Sequence, residues 1–267
     1  MKKLISLLMV VVLLAVSAFT LASCENPNPE DTLVCGVTIF EKMNEQNPDG
    51  TWTGFETEFA EAVAAKLGMK AKFVEINWEQ KYNEVNSNAI DCIWNGFTAN
   101  SAEKDGTKRS DLVDFSYGYM LNQQCIVVKT DKLAGFASAA DLAGKKACAE
   151  GGSAGESYAS GVNASEVVPV PAQINTFMEV KTGAVDYAVV DIVLAENICG
   201  NGDFADLTIV DAIELESEVY AVGFKKGSDL TAKVNAAIKE LEEDGTLATL
   251  AKKYGFENVV KVMESFE

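Results

Sequence analysis

Apolar residues are spaced in two different ways along this chain of 267 residues. From Leu4 to Phe19 they run almost without interruption. From residue 32 onward, short apolar runs of strand length alternate with stretches that repeat at helical spacing. Residues 55–67 (FETEFAEAVAAKL) place Phe55, Phe59, Ala60, Val63 and Leu67 on one helical face, and Gly68 ends the segment. Strand-like runs at 32–40, 71–76 and 89–94 enclose this helix and another at 80–86. That βαβαβ unit predicts a parallel sheet. A second unit has strands at 146–149, 167–170 and 185–190 and helices at 154–160 and 174–182. An extended run at 124–129 joins the units, another at 219–224 follows, and helices at 230–243 and 246–254 close the chain. The pattern predicts two α/β lobes joined by two crossing strands, with a ligand cleft between them at the strand ends. Lobe 1 is expected to take residues 32–120 and 222–267, and lobe 2 residues 121–221.

The opening segment is not part of that fold. Met1-Lys2-Lys3, the apolar run and Leu21-Ala22-Ser23-Cys24 have the order of a secretory signal, expected over residues 1–23. The Leu-Ala-Ser-Cys ending resembles a bacterial lipobox, which makes Cys24 the candidate lipidated residue; an uncleaved membrane anchor is the alternative. Residues 24–31 carry two prolines and no core residue, and read as a tether.

Composition narrows the chemistry. The formal charge of −18 becomes −20 once Lys2 and Lys3 are removed, which argues against a nucleic-acid partner. There is no histidine, so histidine acid–base chemistry, Ser-His-Asp triads and histidine-ligated metals are excluded. Beyond Cys24, five scattered cysteines lack the CxxC spacing of zinc or redox sites, and four sit in apolar runs as small hydrophobes. One disulfide among them stays open. No cofactor and no metal are expected, and the protein is read as a monomer.

Candidate binding residues fall at strand ends. Asn95-Gly96-Phe97-Thr98 follows the third strand of the first unit, and Arg109 follows in the next loop. Arg109 is the one arginine among 22 basic residues, and a guanidinium does what lysine cannot: it holds a carboxylate or phosphate through a rigid, two-pronged fork. Gly151-Gly152-Ser153-Ala154-Gly155 opens a helix with backbone N–H groups free to face an anion. Asp191 ends the last strand of the second unit, where it either faces the cleft or caps the helix starting at Ile192. A positive pole at Arg109 and a negative one at Asp191 would suit a zwitterion.

These segments resemble the extracytoplasmic amino-acid-binding proteins of ABC importers, the family of the histidine- and glutamine-binding proteins. The matching stretches are Gly54-Phe55-Glu56-Thr57-Glu58, Ile90-Asp91-Cys92-Ile93-Trp94-Asn95-Gly96-Phe97-Thr98, Val113-Asp114-Phe115-Ser116, Leu142-Ala143-Gly144-Lys145-Lys146, Gly152-Ser153-Ala154-Gly155-Glu156, residues 185–191, and Phe224-Lys225-Lys226-Gly227-Ser228. The resemblance implies a periplasmic-binding-protein-like fold. It also implies Arg109 on a ligand α-carboxylate, assisted by Thr98 and the backbone of Ser153 and Ala154, with Asp191 on the α-ammonium and Gly96 as a backbone contact. Phe40 resembles the aromatic over the ligand side chain, with Trp94 and Asn95 on the same wall. Two departures stand out. Residues 99–108 insert about six residues before Arg109, which leaves Lys104 and Lys108 as alternative carboxylate partners, and Glu41-Lys42-Met43-Asn44 replaces a proline-rich turn.

The expected function is a lipid-anchored, extracytoplasmic subunit that captures a free α-amino acid and delivers it to a membrane permease, without catalysis. A dehydratase of small carboxylic acids on the same fold would need Glu41, Glu150 or Asp191 as its acid or base. A receptor's sensor domain would be expected to continue into a transmembrane and signalling region, and a tethered sensor stays open as a third reading.

Overall fold

The computed structural model describes residues 31–266. The expected signal segment and Cys24 lie outside the described residues. Strands β1 (Thr32–Val37), β4 (Lys70–Glu75) and β5 (Cys92–Ile93) form the parallel core of lobe 1, in the order β4-β1-β5. A two-stranded hairpin, β2 (Glu45–Gln46) with β3 (Trp52–Thr53), lies between β1 and helix α1 (Phe55–Lys66). Helices α2 (Lys81–Asn86) and α3 (Arg109–Leu112) follow β4 and β5 in the chain. In lobe 2, β7 (Lys146–Glu150), β8 (Glu166–Val170) and β9 (Tyr187–Asp191) are likewise parallel, in the order β9-β7-β8. Helices α4 (Ala154–Gly161), α5 (Gln173–Thr182) and α6 (Ile192–Ile198) alternate with them.

One long strand makes the two halves continuous. β6 (Asp114–Lys129) pairs antiparallel through residues 114–123 with β11 (Ser217–Phe224), then through residues 124–127 with β9. β10 (Leu207–Ile209) and β12 (Val260–Met263) also pair with β6. Helices α7 (Leu230–Glu243) and α8 (Thr246–Tyr254) close lobe 1, where Val234, Ile238, Leu241 and Leu247 are buried in the same cluster as Phe55 and Phe59.

The differences from the sequence pattern have local causes. The first strand ends at Val37 because Phe40 turns the chain, bonding its backbone to Asn44. The third is only Cys92–Ile93, since the N–H groups of Ala89 and Ile90 bond back to Glu84. β6 begins ten residues earlier than the extended run at 124–129; Gly118 and the polar residues around it interrupt the apolar signal, but antiparallel pairing with β11 holds that stretch extended. All five described cysteines are free, and all but Cys199 are buried.

Candidate ligand-binding cleft

Between the lobes, Trp78, Asn95, Gly96, Thr98 and Arg109 face Glu150, Ser153, Ala154, Gln173 and Asp191, with Gln124 of the crossing strand beside them. The lobes close tightly here, leaving about 10 Å³, so a ligand must part them to enter and then hold them further apart. A wider depression of about 570 Å³, sharing Thr98, Gln124 and Ala154 and bordered by Glu218, opens alongside.

Arg109 begins α3 and is only 1% exposed. Its Nε donates to Glu103 Oε1 at 2.9 Å, Nη1 to the Thr98 carbonyl at 3.1 Å and Nη2 to the Gly152 carbonyl at 3.3 Å. The guanidinium lies over the Phe97 ring, 5.2 Å from its centre. Each terminal nitrogen keeps a second N–H. Of the alternative partners from the inserted loop, Lys104 instead pairs with Glu156 at 2.7 Å, and neither Lys104 nor Lys108 borders the space.

Asp191 holds the N-cap position of α6 but makes no cap bond. Its Oδ1 accepts from Asn122 Nδ2 at 2.6 Å and Gln124 Nε2 at 2.5 Å, and its Oδ2 accepts from Gln173 Nε2. Glu218 Oε2 accepts from the same two amides at 2.8 and 2.9 Å, and from the Thr98 hydroxyl at 3.2 Å. Burial raises both carboxyls above their ordinary range, and Asp191's charge helps push Glu218 up to about 7.

The glycine turn of lobe 2 is built for close approach. Gly152 has φ +75°, and a Cβ there would sit 3.0 Å from Glu79 Cα and 3.2 Å from Lys81 Nζ, across the cleft. Its carbonyl accepts from Lys81 as well as Arg109, and its N–H donates to Glu156. Ser153 caps α4, its hydroxyl accepting from the Glu156 N–H at 3.1 Å. On the facing wall, Gly96 has φ +55° and its N–H donates to the buried Glu56 carboxylate at 2.8 Å. Burial pushes Glu56 up to about 7 against the pull of Tyr119 and Gly96.

Seven of the nine expected binding residues therefore border one space. Trp94 does not. It is fully buried, edge-on to Phe59 with ring centres 5.4 Å apart and beside Tyr119, so it fills the core behind the wall. Phe40 also lies behind, where its ring would meet a Cβ on Gly96 at 3.1 Å. Asn95 borders the space, but its amide donates to the Thr38 carbonyl and Asn44, tying the first turn to the wall. Sequence reasoning missed Lys81, Gln124, Gln173 and Glu218, and weighed Glu150 only as a catalytic group. Lys81 sits on a short amphipathic helix where a lysine reads as surface, yet it is 1% exposed and packs over Tyr82 at 4.5 Å. Burial and the Arg109 charge push it down to about 7.

Residues 33–258 match the model of the bacterial extracellular solute-binding proteins, family 3. The chain belongs to that family. It is 28% identical over 245 residues to the arginine-binding extracellular protein ArtP of Bacillus subtilis, covering 88% of this chain and 92% of that protein. Among solved structures it is similar to an ancestral arginine-binding protein bound to arginine, with a TM-score of 0.75 and 28% identity over 85% of this chain and 99% of the other. It is also similar to an ancestral amino-acid-binding protein described as a precursor of cyclohexadienyl dehydratase, at a TM-score of 0.72 and 25% identity over 84% and 95% of the two chains. The fold is therefore the periplasmic-binding-protein-like one expected from the sequence.

Proposed function

We propose that this protein is the amino-acid-binding subunit of an ABC importer, taking a free α-amino acid between its lobes and presenting it to a membrane permease. The observation that carries the reading is that Arg109 and Asp191 border the same enclosed space from opposite lobes. On this reading the ligand α-carboxylate replaces the Gly152 carbonyl on Arg109, with Gly96, Thr98 and the backbone at Ser153 and Ala154 around it. The α-ammonium then takes Asp191, whose amide donors hold the carboxylate in place. The lobes divide at the crossing strands, giving 32–120 with 222–267 and 121–221. The amino-acid-binding relatives support this reading over turnover.

Cys24 is proposed as the lipidated residue that tethers the mature protein outside the cell membrane, on the strength of the Leu-Ala-Ser-Cys ending. Replacing Cys24 with alanine should release the protein from the membrane fraction or block its processing; unchanged processing and fractionation contradict the anchor. The capture reading is tested by a thermal-shift panel of free amino acids. A ligand at about 100 times its Kd stabilises by about 2.7 kcal/mol. A panel in which no amino acid shifts the melting temperature contradicts the proposal.

A further inference from the structure

The cleft holds more carboxyl groups than one zwitterion needs. Its two cations, Arg109 and Lys81, already share Glu103, at 2.9 and 3.8 Å. None of the ion pairs among the described residues involves Asp191, Glu218 or Glu150. Asp191 and Glu218 are held by neutral donors: the amides of Asn122 and Gln124 serve both carboxylates, one N–H of the Gln173 amide serves Asp191, and the Thr98 hydroxyl serves Glu218. Glu150 is different. It ends β7, is 2% exposed, borders the enclosed space, and its Oε1 has no hydrogen-bond partner. The β7–β9 register pairs Cys148 with Ala188, which sets Glu150 abreast of Val190, one residue short of Asp191. A buried carboxylate oxygen without a donor is costly, and beside a second carboxylate more so. In the free protein a proton on Glu150 relieves this cost, and a ligand group that displaces that proton must donate hydrogen bonds and carry positive charge.

We propose that the captured amino acid has a cationic side chain, an ammonium or guanidinium, and that Glu150 is the residue that reads it. The inference rests on the amino-acid reading of the same cleft. The α-carboxylate and α-ammonium occupy Arg109 and Asp191, and the second cation of the ligand sits on Glu150 with its N–H groups on the unpartnered oxygen. A neutral amide side chain brings no charge to offset Glu150, and its carbonyl meets a cleft in which the Gln124 amide and the Thr98 hydroxyl are already engaged by Asp191 and Glu218. An acidic side chain adds repulsion to the same group. Titration behaviour agrees with the geometry: burial and the Asp191 charge push Glu150 up to about 8, against the pull of Lys81 and the Thr38 hydroxyl. Docking a cation there drives Glu150 to its ionised form and releases a proton.

Calorimetry with L-arginine and L-citrulline tests this, because citrulline replaces the guanidinium by a neutral urea of nearly the same shape. L-lysine against L-norleucine is the parallel pair. Arginine or lysine should bind about 10- to 100-fold more tightly than its neutral partner, the range expected for hydrogen bonds to a charged group. Glu150→Gln should shrink that preference severalfold or more while citrulline binding persists, which also shows that the variant is folded. Binding of neutral or acidic amino acids as tight as, or tighter than, that of the basic ones overturns the inference and leaves amino-acid capture standing. An unchanged arginine-to-citrulline ratio in Glu150→Gln overturns the role of Glu150. Failure of every free amino acid to bind contradicts the proposed function underneath.

Discussion

The two walls of the cleft bury charge in opposite ways. On the lobe 1 wall, Arg109 and Lys81 lie among Trp78, Tyr82 and Phe97, share Glu103, and reach across to the Gly152 carbonyl. Positive charge there is stacked on aromatic faces and already partnered. The facing wall and the crossing strands carry Asp191 and Glu218, held by amides and a hydroxyl, and Glu150 with an unpartnered oxygen, with no cation on any of the three among the described ion pairs. One wall is therefore electrostatically complete and the other incomplete. A complete wall can orient a ligand, whereas the incomplete one leaves buried carboxyls with which a cation brought by a ligand can pair.

The largest test of this contrast is Arg109→Lys. It keeps the charge but removes the rigid fork, and truncating one partner of a buried pair costs about 3–5 kcal/mol, roughly a hundredfold or more in Kd. Unchanged affinity would show that the lobe 1 wall does not hold the carboxylate. A smaller effect is expected at the seam between the walls. Gly152→Ala places a Cβ against Glu79 and Lys81 at a positive φ, a strain on the order of 1–2 kcal/mol. The positive-φ strain burdens the folded chain with or without ligand, so the unliganded melting temperature should fall, and the contacts across the cleft should lower affinity by about tenfold as well; an unchanged melting temperature would contradict this.

A third test is the pH dependence of the unliganded protein. Glu56 and Glu218 are held at about 7 and Glu150 at about 8, so the folded chain keeps protons that the unfolded chain, with carboxyls near 4.5, has released. Stability should therefore fall as pH rises from about 5 to 7. Lys81, held down at about 7, acts in the opposite direction only above that pH, and Asp244, held down to about 2 by Lys66 and Thr246, acts only in acid. A melting temperature that rises steadily from pH 5 to 7 would mean that the carboxylates of the incomplete wall are paired in the free protein.

The complete wall was the more legible of the two in the sequence. A lone arginine after a Gly-x-Thr turn announces itself, and the alternation of strands and helices placed it at a strand end. Asp191 was legible as a strand-end acid but ambiguous with a helix cap, and only the fold shows that it makes no cap bond and borders the cleft. Gln124, Gln173 and Glu218 lie far apart in the chain and are ordinary surface types, so nothing short of the fold collects them. The alternation of β6 with β11 does so, bringing residues 122, 124 and 218 together at the crossing. Trp94 illustrates the converse error: a large aromatic next to a binding turn suggests the pocket, but side chains alternate along an extended chain, and this one points into the core.

The central claim is that the two walls grip the two charged ends of one free amino acid. Calorimetry on the best-binding amino acid, its N-acetyl derivative and its carboxamide tests it most directly. Both blocked forms should fail to bind at concentrations that saturate the parent, since each leaves one pole without its counter-charge in a closed cleft. Retained binding of the N-acetyl form would contradict the account, reducing Asp191 to a structural acceptor for its three amides.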